Sequence, residues 1–243
     1  RSSMGKHCVM IAGGEFDVEF ASSYIKDKYD NEGPELFIIA DHGLDGMAEL
    51  EKRNPDMQAE LIVVGDYDSV EPGKLQKYRE RPDVRILRYP PEKNYTDSHL
   101  ALYTALEEDI EEITILGATG TRIDHMLANL GLLQICMEKG VAAELVDAHN
   151  RIHMIDHELR LEREKQFGTY VSLIPYTELV TGVTLTGMKY PLEDYTFHIG
   201  IAWEGGNKIT DNGVSRGISN EIEDEEALIQ MKTGSLLVIE SRD

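Results

Sequence analysis

The sequence predicts an α/β N-terminal domain with a mainly parallel sheet, followed by an all-β sandwich or barrel C-terminal domain. From about residue 7 to 147, short apolar runs alternate with helical patterns, which is typical of a parallel sheet covered by helices. After about residue 150, short strand-like runs separated by turn residues replace the helical patterns. The change falls between residues 147 and 152, so we predict domains at 1–148 and 149–243.

The first domain contains six apolar runs with the length and β-branched content of buried strands. They are Cys8–Ala12, Leu36–Ala40, Leu61–Gly65, Val84–Arg88, Ile113–Leu116 and Ala143–Val146. The helical patterns between them are Phe16–Tyr29, a short segment after Asp45, a segment near Pro72–Arg79, Asp97–Glu108 and Asp124–Lys139. The last is the clearest, because its apolar residues recur at a period of 3.6 and Gly140 follows as a stop.

The second domain is predicted to consist of short strands. They are Ile152–Ile155, Leu159–Leu161, Tyr170–Leu173, Val183–Leu185, Thr196–Ala202, Gly213–Ser219 and Leu236–Glu240. Glycine, proline and asparagine separate these runs at short intervals, as in antiparallel sandwiches and barrels.

The composition excludes several classes of protein. A formal net charge of −21 does not suit a nucleic-acid partner, since binding to phosphate backbones needs a basic face. No apolar run approaches the roughly 20 residues of a membrane span. Cys8 and Cys136 stand far apart within apolar runs, which indicates buried thiols in a reducing compartment. We therefore expect a cytoplasmic protein with no nucleic-acid or membrane partner.

The most informative motif is Gly65-Asp66-Tyr67-Asp68-Ser69, directly after a buried strand. Ligands bind at the carboxyl ends of strands in open α/β sheets. Strand alternation would turn Asp66 and Asp68 to the same side, where both could hold one hard cation. The alternative interpretation is a polar turn that leads into a helix. Asp41, which follows the strand Leu36–Ala40, could extend the acidic group.

Two further strand-to-helix turns carry polar residues. In Lys93-Asn94-Tyr95-Thr96-Asp97, Thr96 could cap the next helix, while Lys93 reaches a phosphate and Asp97 adds a carboxylate. In the segment from Gly117 to His125, Gly117 and Gly120 free backbone N–H groups for an anion. Arg122 in that segment can pair with phosphate oxygens, and Asp124 can hold Arg122 or a metal.

In the β-rich half, Ser215-Arg216-Gly217-Ile218-Ser219-Asn220 alternates small polar residues along a predicted strand. Gly217 would permit close approach of a ligand or of another backbone segment. The alternative is a polar edge strand. Tyr190 offers a flat ring that could stack on an aromatic ligand or pack in the fold.

In this order and spacing, the motifs resemble those of the thiamine pyrophosphokinase family. The corresponding segments are Gly65–Ser69, Lys93–Asp97, Gly117–His125 and Ser215–Asn220, and they span nearly the whole chain. The resemblance implies a homodimer whose active sites form between the α/β domain of one subunit and the β domain of the other. It also implies transfer of a diphosphoryl group from ATP to the thiamine hydroxyl, which yields AMP and thiamine diphosphate.

The resemblance also implies roles for individual residues. The implied catalytic residues are Asp66, Asp68, Asp97, Arg122 and Asp124, and the first three of them would hold Mg²⁺. The implied ATP-binding residues are Asp41, Lys93, Thr96, Gly117, Gly120 and Arg122. The implied thiamine-binding residues are Tyr190, Ser215, Ser219 and Asn220. The sequence departs from the family pattern at three positions, because Asn94 replaces an aspartate, His42 a glycine and Tyr190 a tryptophan found in many members.

Two other functions remain open from the sequence. A haloacid-dehalogenase-like phosphatase also places an Asp-x-Asp at a strand end, although there the motif follows the first core strand and here two strands precede it. A thiamine- or nucleotide-binding sensor without catalysis would need the same binding residues. Hydrolysis of a phosphate ester without ATP would favour the phosphatase, and binding without AMP formation would favour the sensor.

Overall fold

A computed structural model of the chain describes residues 5–90, 94–199, 203–204, 207–208 and 215–243. Side chains are described for all of these except residues 203–204, 207–208 and 215. The chain divides into two compact units, Arg1–Ala148 and His149–Asp243. The first unit is α/β and the second is built from antiparallel sheets, which confirms the predicted fold class.

The first unit alternates strands and helices in chain order. Its strands are β1 (Lys6–Ile11), β2 (Leu36–Ala40), β3 (Glu60–Gly65), β4 (Val84–Arg88), β5 (Ile110–Leu116) and β6 (Ala142–Val146). Its helices are α1 (Val18–Lys28), α2 (Leu44–Arg53), α3 (Pro72–Arg79), α4 (Asp97–Leu106) and α5 (Ile123–Glu138). All six predicted strands and five predicted helices are therefore present, with ends shifted by a few residues.

The six strands of the first unit pair in parallel, in the order β4-β3-β2-β1-β5-β6. Every residue of β2 is buried, as are the last four of β1 and of β5. Both faces of such strands are covered, which is why they read as continuous apolar runs. Cys8 and Cys136 are buried and unpaired, as predicted, and burial raises the pKa of both thiols.

The strand order of the first unit reverses beside β1. The chain proceeds from β1 to β4 on one side of the sheet and then returns to place β5 on the other side of β1. The loops after β1 and β5 leave the sheet in different directions at this point, so a crevice opens at their carboxyl ends.

The second unit packs two antiparallel sheets on one apolar core. Its strands are β7 (Asn150–Ile155), β8 (Glu158–Glu162), β9 (Tyr170–Pro175), β10 (Leu179–Thr186), β11 (Leu192–His198), β12 (Trp203–Glu204), β13 (Asn207–Lys208), β14 (Glu226–Gln230) and β15 (Leu236–Ser241). One sheet has the order β7-β15-β9 and the other β11-β10-β14-β8. Val171 and Val238 from the first sheet pack with Val183, Phe197 and Ile229 from the second, and this arrangement is a sandwich.

Several details of the second unit differ from the prediction, and residues 200–202 of the predicted strand Thr196–Ala202 lie outside the described residues. The strand predicted over Gly213–Ser219 is wrong where the structure describes it, because Ser215–Gly217 forms a single 3-10 turn and Ser219 has a φ of 58°. Residues 213 and 214 lie outside the described residues. Strand β14 was missed, because it follows directly on a run of acidic residues that conceals its alternation.

No helix in the described part of the chain is long and apolar enough to cross a membrane.

Candidate active site

A pocket of about 400 Å³ opens in the first unit at the point where the strand order reverses. Its walls come from the ends of β1, β2 and β5 and from the first turns of α4 and α5. The predicted residues Thr96, Asp97, Gly117, Gly120 and Arg122 all line it. Segments separated by up to about a hundred positions in sequence therefore meet in one site, of the size range usual for small-ligand pockets.

The glycine-rich turn after β5 lies directly against the loop after β1. The Gly14 N–H donates to the Gly117 carbonyl over 2.9 Å. Gly117 has a φ of 70°, and a Cβ at this position would lie 2.8 Å from the Ala12 carbonyl oxygen. Only glycine suits both that backbone conformation and that close approach. The turn is also held by buried Asn129 of α5, whose Nδ2 donates to the Ala118 carbonyl over 2.9 Å.

Arg122 and Asp124 form an exposed ion pair at the start of α5. Arg122 Nε donates to Asp124 Oδ1 over 3.1 Å and Nη2 to Oδ2 over 2.5 Å. The hydrogen bond from Arg122 lowers the pKa of the Asp124 carboxyl. Exposed ion pairs contribute little to stability, so breaking the Arg122–Asp124 pair costs little free energy. The Arg122 guanidinium, which lines the pocket, can therefore exchange Asp124 for an anion.

Asp41 lies beneath the Gly65–Ser69 turn and shapes it. Asp41 as a whole is only 2% exposed, and its carboxylate accepts two backbone hydrogen bonds, from His42 N over 2.8 Å and from Tyr67 N over 2.9 Å. A Cβ on Gly65 would lie 2.3 Å from the Asp41 carboxylate. Asp41 therefore fixes the path of the chain where β3 ends.

The turn that Asp41 supports does not continue the strand. Tyr67 has a φ of 65°, and its buried hydroxyl lies within hydrogen-bond distance of the Val63 and Leu87 carbonyls. The prediction that strand alternation orients Asp66 and Asp68 is therefore wrong in its premise, since β3 ends at Gly65. Asp66 is half-buried and accepts the Asp68 N–H over 3.1 Å, whereas Asp68 is exposed.

One group of side chains has its metal-ligating atoms close together. The ligand atoms of Asp41, His42 and Asp97 lie within 4.8 Å of one another. Among the residues whose side chains the structure describes, no other three histidine, cysteine or acidic side chains are so close. Asp97 is placed there by Thr96, which caps α4 as predicted by accepting the His99 N–H over 3.1 Å. The predicted metal set of Asp66, Asp68 and Asp97 stays a prediction.

All four candidate thiamine residues belong to the second unit, where Asn220 contacts Tyr190. The Tyr190 side chain is 56% exposed. Asn220 is buried, and its side-chain amide forms hydrogen bonds with backbone groups. Its Oδ1 accepts from Tyr190 N and Glu221 N, and its Nδ2 donates to the Tyr190 carbonyl. Asn220 therefore positions Tyr190. The exposed Ser219 donates its N–H to Ser172 Oγ over 2.9 Å. The Ser215 side chain and Lys93 lie outside the described residues.

Two family descriptions match most of the chain. Residues 30–145 match the thiamin pyrophosphokinase catalytic domain, and residues 156–236 match the thiamin pyrophosphokinase vitamin B1 binding domain. The thiamine pyrophosphokinase of Bacillus subtilis is 33% identical over 183 residues, which cover 74% of this chain and 77% of that protein. The chain belongs to the thiamin pyrophosphokinase family.

Solved structures of the family share the whole fold. The thiamine pyrophosphokinase of Bacillus subtilis superimposes with a TM-score of 0.74 at 27% identity, over 98% of this chain and 100% of that one. A thiamin pyrophosphokinase family protein from Enterococcus faecalis gives a TM-score of 0.71 at 27% identity, with coverage of 98% and 99%. The thiamin pyrophosphokinase of Candida albicans has the same fold at 15% identity, with a TM-score of 0.70 over 98% of this chain and 90% of that one.

In this member of the thiamin pyrophosphokinase family, four residues that line the pocket have no predicted role in the sequence. Gly13 and Gly14 follow β1 and line the pocket, and a glycine pair directly after a buried strand was a usable signal. His42 also lines the pocket, but the sequence around it indicates no more than a possible hydrogen bond. Asn129 gave no local signal, since its role depends on a carbonyl eleven residues earlier.

Proposed function

We propose that the chain is a thiamine pyrophosphokinase that transfers a diphosphoryl group from ATP to the hydroxyl of thiamine. Membership of the family makes it a transferase, a kinase of thiamine diphosphate biosynthesis. The observation that carries the finer proposal is the pocket at the point where the strand order reverses, because its walls combine glycine turns, helix N-termini and Arg122. Phosphate groups bind where such features converge.

The polyphosphate of ATP would lie against the turn after β5. Backbone N–H groups near Gly117 and Gly120 and the N-terminus of α5 provide partial positive charge there. Arg122 adds a full charge and can change partner from Asp124 to a phosphate oxygen. Thr96, Lys93 and Asp41 complete the proposed ATP set, Asp41 through the turn that it supports rather than by direct contact.

The acidic residues of this edge suit a divalent cation. Asp66, Asp68 and Asp97 offer the carboxylate oxygens that Mg²⁺ prefers, and Asp41 or Asp124 could assist. Asp97 also belongs to the group with Asp41 and His42 whose ligand atoms lie within 4.8 Å. A bound Mg²⁺ would neutralise part of the polyphosphate charge together with Arg122 and Lys93, in a chain whose net charge is −21.

The reaction itself needs a proton acceptor and charge stabilisation. The thiamine hydroxyl oxygen forms a bond to the β-phosphorus, the bond from that phosphorus to the bridging oxygen of AMP breaks, and a carboxylate takes the proton. Asp68 or Asp97 is the proposed acceptor. Arg122 and Lys93 stabilise the charge that develops on the transferred group.

Thiamine would be held by the second unit. The exposed ring of Tyr190 can stack on a flat, cationic heterocycle, and Asn220 fixes the backbone that carries it. Ser215 and Ser219 would orient the aminopyrimidine. We also propose a homodimer with active sites shared between subunits. The cytoplasmic location expected from the unpaired cysteines stays a prediction.

The proposal is tested by incubating the purified protein with thiamine, ATP and Mg²⁺ and separating the products by chromatography. We expect AMP and thiamine diphosphate in equal amounts, and neither product when EDTA is present. ADP with thiamine monophosphate would indicate a different kinase on the same scaffold. Thiamine binding without AMP would favour the sensor, and phosphate release without ATP would favour the phosphatase. Membership of the thiamin pyrophosphokinase family favours neither alternative.

A further inference from the structure

His42 brings a nitrogen donor into the otherwise acidic edge of the pocket. It is the second residue after β2, and its side chain is 49% exposed while that of the adjacent Asp41 is 1% exposed. His42 Nε2 lies 3.8 Å from Asp41 Oδ1. Asp97, from the first turn of α4, completes a group whose ligand atoms are mutually within 4.8 Å.

These distances match the donor spacing around one metal ion. Ligands at about 2.1 Å from a metal lie roughly 3.0 Å apart when adjacent and 4.2 Å apart when opposite. The 3.8 Å between His42 and Asp41 falls within that interval. All three ligand atoms lie within 4.8 Å of one another, so one ion could contact them after modest side-chain adjustment.

Asp41 and His42 retain the capacity to bind a cation. Each Asp41 oxygen accepts one backbone N–H, so each keeps a second lone pair. Ser69 Oγ lies 3.5 Å from both ring nitrogens of His42, at the outer limit of a hydrogen bond. The loop after β1 passes close to the base of the His42 side chain, because a Cβ at Gly13 would lie 2.7 Å from His42 Cβ.

We propose that His42 is a direct ligand of the divalent cation in this pocket and shifts its selectivity towards Mn²⁺ and Co²⁺ relative to Mg²⁺. This inference rests on the metal-dependent function proposed above and names one ligand of that site. Mg²⁺ prefers an all-oxygen shell, whereas imidazole suits first-row transition metals. An imidazole added to the carboxylates of this site therefore favours the transition metals more than carboxylates alone would.

Mn²⁺ alone, added to protein without a histidine tag and without nucleotide or thiamine, provides the test. Electron spin echo spectroscopy of bound Mn²⁺ is expected to show modulation from an imidazole nitrogen. His42→Ala should abolish this modulation and weaken Mn²⁺ binding roughly tenfold or more, the range seen when groups that support a metal site are removed. Mg²⁺ affinity, measured by competition with Mn²⁺, should change less.

Two further variants separate the ligand role from other effects. His42→Asp should keep Mn²⁺ bound without the nitrogen modulation and should raise the preference for Mg²⁺. His125→Ala is the matched control, because His125 is also exposed and lines the same pocket but lies outside the group of three. It should keep the nitrogen modulation.

Nitrogen modulation that persists in His42→Ala, or that is absent from the unsubstituted protein, would overturn the assignment. An equal loss of Mg²⁺ and Mn²⁺ affinity in His42→Ala would overturn the proposed effect of His42 on metal selectivity. The nitrogen modulation is measured without turnover, so the two proposals can fail separately. Modulation without formation of thiamine diphosphate would reject only the proposed function. Formation of thiamine diphosphate without modulation would reject only the assignment of His42 as a metal ligand.

Discussion

At the scale of single residues, Gly65 shows how an absent side chain shapes the site. The Asp41 carboxylate occupies the space where a Cβ of residue 65 would lie, at 2.3 Å. Asp41 cannot retreat, because it is buried and held by backbone N–H groups of His42 and Tyr67. The turn that presents Asp66 and Asp68 therefore depends on the lack of a methyl group.

Gly65→Ala is expected to lower the free energy of unfolding by roughly 1–3 kcal/mol, as overpacking does, and to reduce turnover because Asp66 and Asp68 shift. Urea unfolding and AMP formation measure the two effects. Gly73→Ala is the matched control, since a Cβ there meets nothing within 4 Å and the residue lies in α3. The control should keep activity and be neutral or up to about 1 kcal/mol more stable. A Gly65→Ala variant as stable and active as the control would contradict this account.

Asp68→Asn is expected to abolish most turnover while the free energy of unfolding stays unchanged. Asp68 is exposed, so the fold does not depend on its charge, but a carboxylate at this position is proposed to bind metal or accept the hydroxyl proton. Steady-state AMP formation and urea unfolding test the two parts. Asp56→Asn makes the same chemical change at an exposed position before β3, at the opposite end of the strand, and should stay active. Near-normal turnover of Asp68→Asn would refute the role.

At the scale of elements, a buried ion network joins β7 and β15. Arg151 lies opposite Glu240 in the strand register and donates to both of its oxygens, from Nε over 2.6 Å and from Nη2 over 2.8 Å. His153 Nε2 lies 2.8 Å from the same carboxylate. Burial raises the pKa of Glu240, but the hydrogen bonds from His153 and Arg151 outweigh it and bring the pKa to about 2.

The pH dependence of this network follows from the direction of the shift. The folded pKa lies below the ordinary value of 4.5, so the stabilisation is complete above about pH 4.5 and is lost as the pH falls towards 2. Its size is on the order of 3 kcal/mol. Glu240→Gln should therefore be less stable than the unsubstituted protein at pH 7, and the difference should narrow between pH 5 and pH 3.

Urea unfolding at pH 7, 5 and 3, followed by circular dichroism, measures this difference. Glu178→Gln is a suitable control, because Glu178 is exposed in the same unit and the variant should match the unsubstituted protein at each pH. A stability difference for Glu240→Gln that stays constant from pH 7 to pH 3 would show that the carboxylate charge does not stabilise the sandwich.

At the scale of the whole molecule, the two units contribute different chemistry. The first unit places anion- and metal-binding groups around one pocket, and the second presents an exposed aromatic ring on a fixed turn. The proposed reaction needs both. A homodimer that shares its sites between subunits would make activity depend on assembly.

Specific activity is therefore expected to fall when the protein is diluted below the dissociation constant of the dimer, in step with the loss of dimer by sedimentation. Adding concentrated protein back should restore activity, which separates dissociation from denaturation. A species that sediments as a monomer with full specific activity would contradict the shared site.

The sequence by itself determined the elements of the first unit and the family of the whole chain. Strands buried on both faces must be continuously apolar, so β1, β2, β3 and β5 were visible as runs, and α5 was visible from its helical period. Turn motifs such as Gly117–His125 depend on the backbone conformation of consecutive residues, so they can be recognised in a short stretch of sequence. The same locality made Thr96 recognisable as a cap.

Only the tertiary structure decided how distant residues act on one another. The left-handed backbone of Tyr67 depends on the buried Asp41, and the 3-10 turn at Ser215–Gly217 brings Gly217 so near the Leu173 carbonyl that a Cβ would lie 2.3 Å from it. The close backbone approach predicted for Gly217 is thereby confirmed, although its strand is not. Asn220 and His42 acquire their roles in the same way. These contacts join residues that are far apart in the sequence. Hydrophobic periodicity reports only on neighbouring residues, so it could not predict them.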